Sequence, residues 1–178
     1  MTIKSYQGIY PKIADGVYVD DSALVIGDVS LGADSSIWPM TVVRGDVNKI
    51  SIGSGTNIQD GSVLHVTHPH QAHPDGFQLC VGNNVTVGHK VILHGCVIED
   101  HCLIGMGSTI MDGAVVHSQV LVGAGSLVAP GKELESGYLY LGSPVKKLRQ
   151  LTDEERHWID YSARHYQNLK NRYLGVSS

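Results

Sequence analysis

Hydrophobic residues recur at every sixth position along most of this chain. Small or β-branched residues stand four positions after most of them, and glycine often follows directly, as at Gly53, Gly88 and Gly105. A six-residue period of this kind is typical of a parallel β-helix, in which short strands alternate with glycine-rich corners and pair with strands one coil away. The recurring anchors are Val19, Val25, Leu31, Ile37, Val43, Ile52, Ile58, Leu64, Val81, Val87, Leu93, Ile98, Ile104, Ile110, Val116, Val122 and Val128.

The repeat divides the chain into three parts. Residues 17–135 are predicted to form the β-helix, with an outward loop at residues 66–80, because Leu64 and Leu93 are 29 residues apart and three hexads occupy only 18. Residues 1–16 precede the repeat and are expected to cap the first coil, since the ends of a stacked repeat must be covered. Residues 136–178 are predicted to be a connecting segment and a C-terminal α-helix, which the capping-box pattern from Thr152 to Glu155 begins. The sequence therefore predicts an all-β fold with one C-terminal helix.

Polar residues fall into columns if three hexads make one coil. His65 and His94 each follow an anchor by one position, so they share a column on successive coils, and Arg44 falls in the same column. Asp60 and His89 each follow an anchor by two positions and share the adjacent column. Neighbouring coils lie about 4.8 Å apart, which lets two imidazoles reach one cation at a Zn–N distance of about 2.1 Å.

The position of the third histidine leaves two arrangements open. His89 precedes His94 by five residues, about 16 Å of extended contour at ~3.3 Å per residue, although a corner shortens the chord. A metal site made within one chain is therefore awkward. In the other arrangement a neighbouring copy supplies His89 at a subunit boundary, and a threefold oligomer then holds three equivalent sites.

Several short motifs stand at these repeat positions. They are Val43-Arg44-Gly45-Asp46, Asn57-Ile58-Gln59-Asp60, Leu64-His65, Val87-Gly88-His89, Leu93-His94-Gly95-Cys96 and the segment from Tyr138 to Pro144. On these motifs the chain resembles the gamma-class carbonic anhydrases, and among them the compact bacterial members, over nearly its whole length. The resemblance implies a left-handed β-helix and a homotrimer with metal sites between subunits. It also implies that His65 and His94 come from one subunit and His89 from its neighbour.

The same resemblance implies a metal-dependent lyase, a carbonate dehydratase that hydrates carbon dioxide reversibly to bicarbonate. A cation held by three imidazoles, Zn²⁺ or else Fe²⁺ or Co²⁺, would lower the pKa of bound water towards 7 and give a hydroxide nucleophile. Gln59 would orient this hydroxide or the substrate. Arg44 and Asp46 would pair near the subunit interface, and Asp60 would support the ligands or the arginine.

Two features depart from the best-characterised members of that family. Those members carry a glutamate directly after the aspartate of the Arg-x-Asp motif, where this chain has Val47, and another in an acidic loop that ferries protons. The corresponding loop here contains His68, His70 and His73, which we expect to face solvent. Histidine can transfer protons near neutral pH, but the sequence identifies no residue that matches the missing shuttle.

Two other functions fit a hexapeptide β-helix. Many such proteins bind acyl-coenzyme A between subunits, as transferases or thioesterases, and rely on one histidine as a general base rather than on three that hold a metal. A metal-binding trimer with little catalytic activity is the second alternative. It stays open because Val47 stands where the best-characterised members of the family have a glutamate.

Composition and charge narrow the range of binding partners and cellular compartments. The net charge is −4 with histidine neutral, which gives no electrostatic basis for binding nucleic acid. The sequence contains neither an 18-residue apolar span nor the apolar core of a signal peptide, so we expect no membrane association. Cys80, Cys96 and Cys102 lack the paired spacing of a zinc site and are expected to be reduced, which indicates the cytoplasm.

Overall fold

The structure, a computed structural model, describes residues 2–176. Most of this range consists of very short strands separated by turns, followed by one long helix. In chain order the elements are β1 (Ile3–Lys4), β2 (Lys12–Ile13), β3 (Tyr18–Val19), β4 (Leu24–Leu31), β5 (Ser36–Ile37), β6 (Val42–Ile52), β7 (Asn57–Ile58), β8 (Val63–His65), β9 (Leu79–Val81), β10 (Thr86–Val87), β11 (Ile92–His94), β12 (Val97–Ile98), β13 (Leu103–Ile104), β14 (Thr109–Ile110), β15 (Val115–Val116), β16 (Leu121–Val122), β17 (Leu127–Val128), β18 (Glu133–Leu134), β19 (Tyr138–Leu141), β20 (Lys146–Gln150) and α1 (Asp153–Tyr173).

The strands stack into three faces. The first face contains β1, β8, β11, β14 and β17, and the second contains β2, β9, β12, β15 and β18. The long strands β4 and β6 pass round the corner and take part in both of these faces. The third face runs from β3 through β5, β7, β10, β13 and β16 to β19. Every neighbour within a face is parallel, so the coils form a parallel β-helix. The predicted left-handed β-helix of hexapeptide repeats with one C-terminal helix is confirmed.

The predicted anchors point into the interior of the coils. On the first face Val43, Leu64, Leu93, Ile110 and Val128 lie in register one above another and are fully buried. Burying one such side chain contributes roughly 1.5–3 kcal/mol relative to leaving it exposed. The continuous apolar column therefore holds the coils together and fixes which residues point outward at each level.

Two of the three cysteines are buried. All three are free, and Cys96 and Cys102 lie in the core. Burial raises the pKa of both thiols, that of Cys102 to about 12. Because the thiolate is the form that attacks electrophiles and binds metals, these two residues serve to fill space.

Coil structure extends beyond the hexad region at both ends. The short strands β1 and β2 pair with β4, so residues 3–13 take part in the first coil. At the other end β19 continues the third face to Leu141 and then pairs antiparallel with β20. The loop between β8 and β9 spans residues 66–78, because Leu79 already pairs with Ile50 of β6. We call residues 66–78 the histidine loop.

The C-terminal helix begins at the predicted capping box. The Thr152 hydroxyl accepts a hydrogen bond from the backbone N–H of Glu155, and the Glu155 carboxylate accepts one from the backbone N–H of Thr152. The helix lies on the third face, where Ile159 and Ala163 are buried and the rings of Trp38 and Tyr166 meet edge to face. Within the described part of the chain, no helix has the length and apolarity needed to span a bilayer.

Candidate metal centre

His65 and His94 stand side by side at the ends of β8 and β11. The two residues are partners in the parallel register, so their side chains leave the same face at successive levels. Nδ1 of His65 lies 3.1 Å from Nε2 of His94, and the ring centres are 5.1 Å apart. Two nitrogens bound to one tetrahedral zinc ion at about 2.1 Å are ~3.4 Å apart. The pair therefore fits a single cation with little movement.

Aspartates hold the outer nitrogen of each ring. Oδ1 of Asp46 lies 3.0 Å from Nε2 of His65, and Oδ1 of Asp112 lies 2.6 Å from Nδ1 of His94. A carboxylate in this position fixes the tautomer and orientation of a ligating histidine and increases its basicity. The facing nitrogens are thereby left as the acceptor positions that a cation would use.

Asp46 also links the pair to Arg44. The guanidinium donates to Oδ2 of Asp46 from two residues away on β6, while Oδ1 contacts His65. Burial opposes ionisation of Asp46, but the hydrogen bonds from Arg44 and His65 outweigh it, so its pKa lies below the usual value. The carboxylate is therefore ionised at neutral pH and stabilises positive charge on the ring or on a cation beyond it.

Asp112 joins the site to the histidine loop and was missed by the sequence reasoning. Its Oδ2 accepts a hydrogen bond of 2.7 Å from the Thr67 hydroxyl, while its Oδ1 holds His94. The register pairs Leu93 with Ile110, so Asp112 stands one position past the column of His94 on the next coil. An acidic residue at that offset is the signal that could have identified it.

His89 lies apart from the other two histidines. It follows β10 at the corner where the third face meets the first, and its Nδ1 lies 2.9 Å from Oδ2 of Asp60. His94 ends β11 at the far side of the first face. Within residues 2–176, no three His, Cys, Asp or Glu side chains are grouped so as to hold one metal ion. One chain therefore brings together two of the three predicted ligands and carries the third, already held by an aspartate, at the opposite corner.

Gln59 is buried in a polar network on the third face. Its Nε2 donates to Oδ1 of Asn57 at 3.0 Å, and Nδ2 of Asn57 donates to Oγ1 of Thr86 at 3.0 Å. The Thr86 hydroxyl in turn donates to Ser162 of α1. Gln59 directly precedes Asp60, so it belongs to the corner of His89 and not to the His65–His94 pair of the same chain.

Comparison with solved structures defines the class of protein. The chain is similar to a hexapeptide transferase family protein of Anaplasma phagocytophilum, with a TM-score of 0.90 and 40% identity over 97% of this chain and 98% of that one. A putative acetyltransferase of Bacillus cereus superposes with a TM-score of 0.91 and 40% identity over 98% of both chains. No protein-family profile matches the chain. The fold and these relatives define a hexapeptide-repeat protein.

Curated relatives give the family. Protein YrdA of Escherichia coli is 57% identical over 97% of this chain and 94% of its own length. Gamma carbonic anhydrase 1, a mitochondrial protein of Arabidopsis thaliana, is 48% identical over 94% of this chain, which spans 61% of that relative's length. The chain belongs to the gamma carbonic anhydrase family of hexapeptide-repeat proteins.

Proposed function

We propose that this chain is an enzyme of the carbonic anhydrase type, a lyase that interconverts carbon dioxide and bicarbonate at metal sites shared between the subunits of a homotrimer. The observation that carries the proposal is that each candidate histidine ligand has one ring nitrogen held by an aspartate. Metal-ligating histidines almost always donate their other ring N–H to a carboxylate, a backbone carbonyl or a water. The pairs are His65–Asp46, His94–Asp112 and His89–Asp60.

The surface between the His65–His94 pair and the corner of His89 supports the proposed trimer. The first face presents apolar side chains to solvent, with Val63 40% exposed and Ile92 44% exposed. Met106 is exposed at the corner of His89. A head-to-tail contact over this face would cover the apolar residues and bring His89 of one copy to His65 and His94 of the next. A heterologous contact forms a ring when its rotation closes, and a ring of three copies would hold three equivalent sites.

The cation would be bound by His65 and His94 of one subunit together with His89 of the partner subunit. A divalent cation on three imidazoles lowers the pKa of a coordinated water towards neutrality and so supplies the nucleophile for carbon dioxide. Imidazole ligands accept zinc, iron and cobalt, and we propose Zn²⁺, with Fe²⁺ or Co²⁺ as the other candidates.

The remaining candidate residues would orient and support these ligands. Asp46 would keep His65 in the tautomer that directs Nδ1 towards the cation, and Arg44 would keep Asp46 ionised. Asp60 would likewise fix the tautomer of His89. Gln59 shares the corner of His89, so we propose that it reaches the site from the partner's side and positions the substrate. In this scheme each interface depends on residues from two chains.

The proposal is tested by loading the protein with metal and following carbon dioxide hydration. Metal-free protein would be reconstituted anaerobically with zinc or with ferrous iron, and hydration would be measured by stopped flow. We expect chelator-sensitive hydration well above the buffer rate. A full metal complement with no hydration above buffer would overturn the enzymatic proposal and leave a metal-binding trimer.

The names of two solved neighbours support a second candidate. Both the hexapeptide transferase family protein and the putative acetyltransferase are 40% identical to this chain, so an activity on acyl-coenzyme A is the alternative. Turnover of an acyl-coenzyme A that survives complete metal removal would favour it.

The free cysteines fit a reducing compartment, and we place the protein in the cytoplasm.

A further inference from the structure

The histidine loop carries three imidazoles that the proposed function does not use. His68, His70 and His73 are all exposed, as predicted from the sequence. They lie within six consecutive residues, so their rings emerge from one small patch of surface. Imidazole is the commonest protein ligand of transition metals, and exposed rings are open to a cation from solvent.

Two of the three ring pairs stand close to the separation that a shared cation requires. The centres of the His68 and His70 rings are 5.7 Å apart, and those of His70 and His73 are 5.3 Å apart. Two imidazoles bound to one tetrahedral zinc ion at about 2.1 Å have ring centres ~5.2 Å apart. Within residues 2–176 no three such side chains converge on one point, so a joint site requires these exposed side chains to rotate between staggered rotamers.

The backbone beneath these rings is fixed. His70 and His73 exchange two backbone hydrogen bonds of 2.9 Å, and Thr67 and Phe77 exchange two of 3.0 Å at the base of the loop. The Asn48 amide donates to the carbonyl oxygens of Thr67 and Asp75 and ties the loop to β6. A preorganised backbone lowers the entropy lost when a ligand binds.

An aromatic contact supports one side of the cluster. The ring centre of His73 lies 4.6 Å from that of Phe77. Phe77 in turn packs over Gly95 and Gly113, where a Cβ atom would come within 2.6 Å and 3.0 Å of its side chain. The glycines therefore leave room for the phenyl ring, which restricts where the imidazole of His73 can turn.

We propose that the histidine loop is a second metal site, in which His68, His70 and His73 together bind one divalent transition-metal cation of the kind that prefers imidazole, such as Zn²⁺, with water completing the shell. None of these residues is a candidate ligand of the shared site, so the proposal stands independently of the proposed function. The hydrogen bond from the Thr67 hydroxyl to Asp112, whose other carboxylate oxygen contacts His94, connects this second site to the His65–His94 pair.

The stoichiometry of zinc binding tests the inference. Metal-free full-length chains would be titrated with Zn²⁺ against a chromophoric chelator, as wild type, as the triple variant His68→Gln, His70→Gln, His73→Gln, and as the double variant His65→Ala, His94→Ala. We expect two zinc ions per wild-type chain and one per chain in each variant. An unchanged stoichiometry in the triple variant would overturn the loop site.

Single substitutions distinguish a joint site from three separate surface ligands. In a joint site each of His68→Gln, His70→Gln and His73→Gln removes part of a chelate, so the affinity of the loop should fall by roughly tenfold or more in every case. The side-chain resonances of all three histidines should also shift together on zinc addition. If one substitution leaves the affinity intact, or the resonances shift at different zinc concentrations, the joint site is wrong.

Discussion

Oδ1 of Asp112 lies 2.6 Å from Nδ1 of His94, while Oδ2 of the same carboxylate accepts a 2.7 Å hydrogen bond from Thr67. One aspartate thus connects a candidate metal ligand on β11 with the base of the histidine loop. The sequence offered no motif for this residue, yet its carboxylate contacts a ring nitrogen of His94 just as the carboxylate of Asp46 contacts one of His65.

Removing the charge of Asp112 should weaken the shared metal site. Asp112→Asn keeps the size of the side chain but supplies a neutral acceptor, so His94 becomes a less basic and less firmly oriented ligand. Loss of such a supporting carboxylate typically lowers metal affinity by about 10–100-fold. Competition with a chelator measures the change in metal affinity. Both the Asp112→Asn protein and its parent would carry the three glutamine substitutions in the histidine loop, so that only the shared site binds metal.

The matched control is a histidine–aspartate pair at another corner of the β-helix, between β12 and β13. Asp160 on α1 holds Nδ1 of His101 at 2.9 Å. Asp160→Asn should leave metal affinity unchanged, because His101 is not a candidate ligand. Equal losses in the two variants would show that the effect at Asp112 is not local to the metal centre.

A charge on the apolar stripe of the first face should dissociate the trimer. Ile92→Glu places a carboxylate on the surface that we propose to be buried between copies, and burying an unpaired charge is costly. Val97→Glu is the control, since Val97 has a similar exposure of 37% but lies on the second face. Sedimentation velocity should give monomers for the first variant and trimers for the second; trimers for both would contradict the interface.

Proton transfer to buffer should limit turnover. Val47 is 39% exposed and carries no titratable group, so the chain lacks the acid–base residue that the best-characterised members of the family carry directly after the aspartate of the Arg-x-Asp motif. The rate of carbon dioxide hydration is therefore expected to rise with the concentration of an imidazole buffer and then to level off. A rate that is already independent of buffer at millimolar concentrations would point to an internal proton acceptor.

His117 should make stability depend on pH in a defined direction. A hydrogen bond with Glu99 at 3.0 Å, with Glu133 on its other side, raises the pKa of His117 above its ordinary value of 6.5. The protonated form is therefore favoured in the folded chain, and its contribution is complete below pH 6.5 and disappears as pH rises through the folded pKa.

The expected effect is small because the pair is partly exposed. His117→Gln should lower the free energy of unfolding by at most about 1 kcal/mol at pH 5.5 and should have no such effect at pH 9. His157→Gln, on the exposed side of α1, is the control and should leave stability unchanged at both pH values. Denaturant titrations at the two pH values measure the difference, and a larger loss at pH 9 would contradict the assignment.

The sequence predicted the fold well because the hexad constrains every level of the coil. An anchor such as Leu64 must point inward, which fixes where His65 points and which residue lies above it. For the same reason the pairings His65–His94 and Asp60–His89 could be found by counting positions. Those pairings are properties of the backbone register.

What could not be predicted depends on side chains and on surfaces that the repeat leaves undefined. Asp112 lies one position outside the column, so counting by columns passes it over. An amphipathic helix specifies its own apolar stripe but not its partner, so the contact between Trp38 and Tyr166 could not be assigned. Ring separations within the histidine loop depend on a tight turn at His70 and His73 that no hexad governs.

Subunit complementation tests the shared site most directly. Chains with His65→Ala and chains with His89→Ala, carrying different tags, would be co-expressed, and mixed trimers would be purified through both tags. Each parent trimer should lack hydration activity. Every mixed trimer contains one interface with a complete set of ligands, so it should recover about one third of the wild-type rate. Mixed trimers as inactive as both parents, or a His89→Ala trimer with full activity, would contradict the shared site.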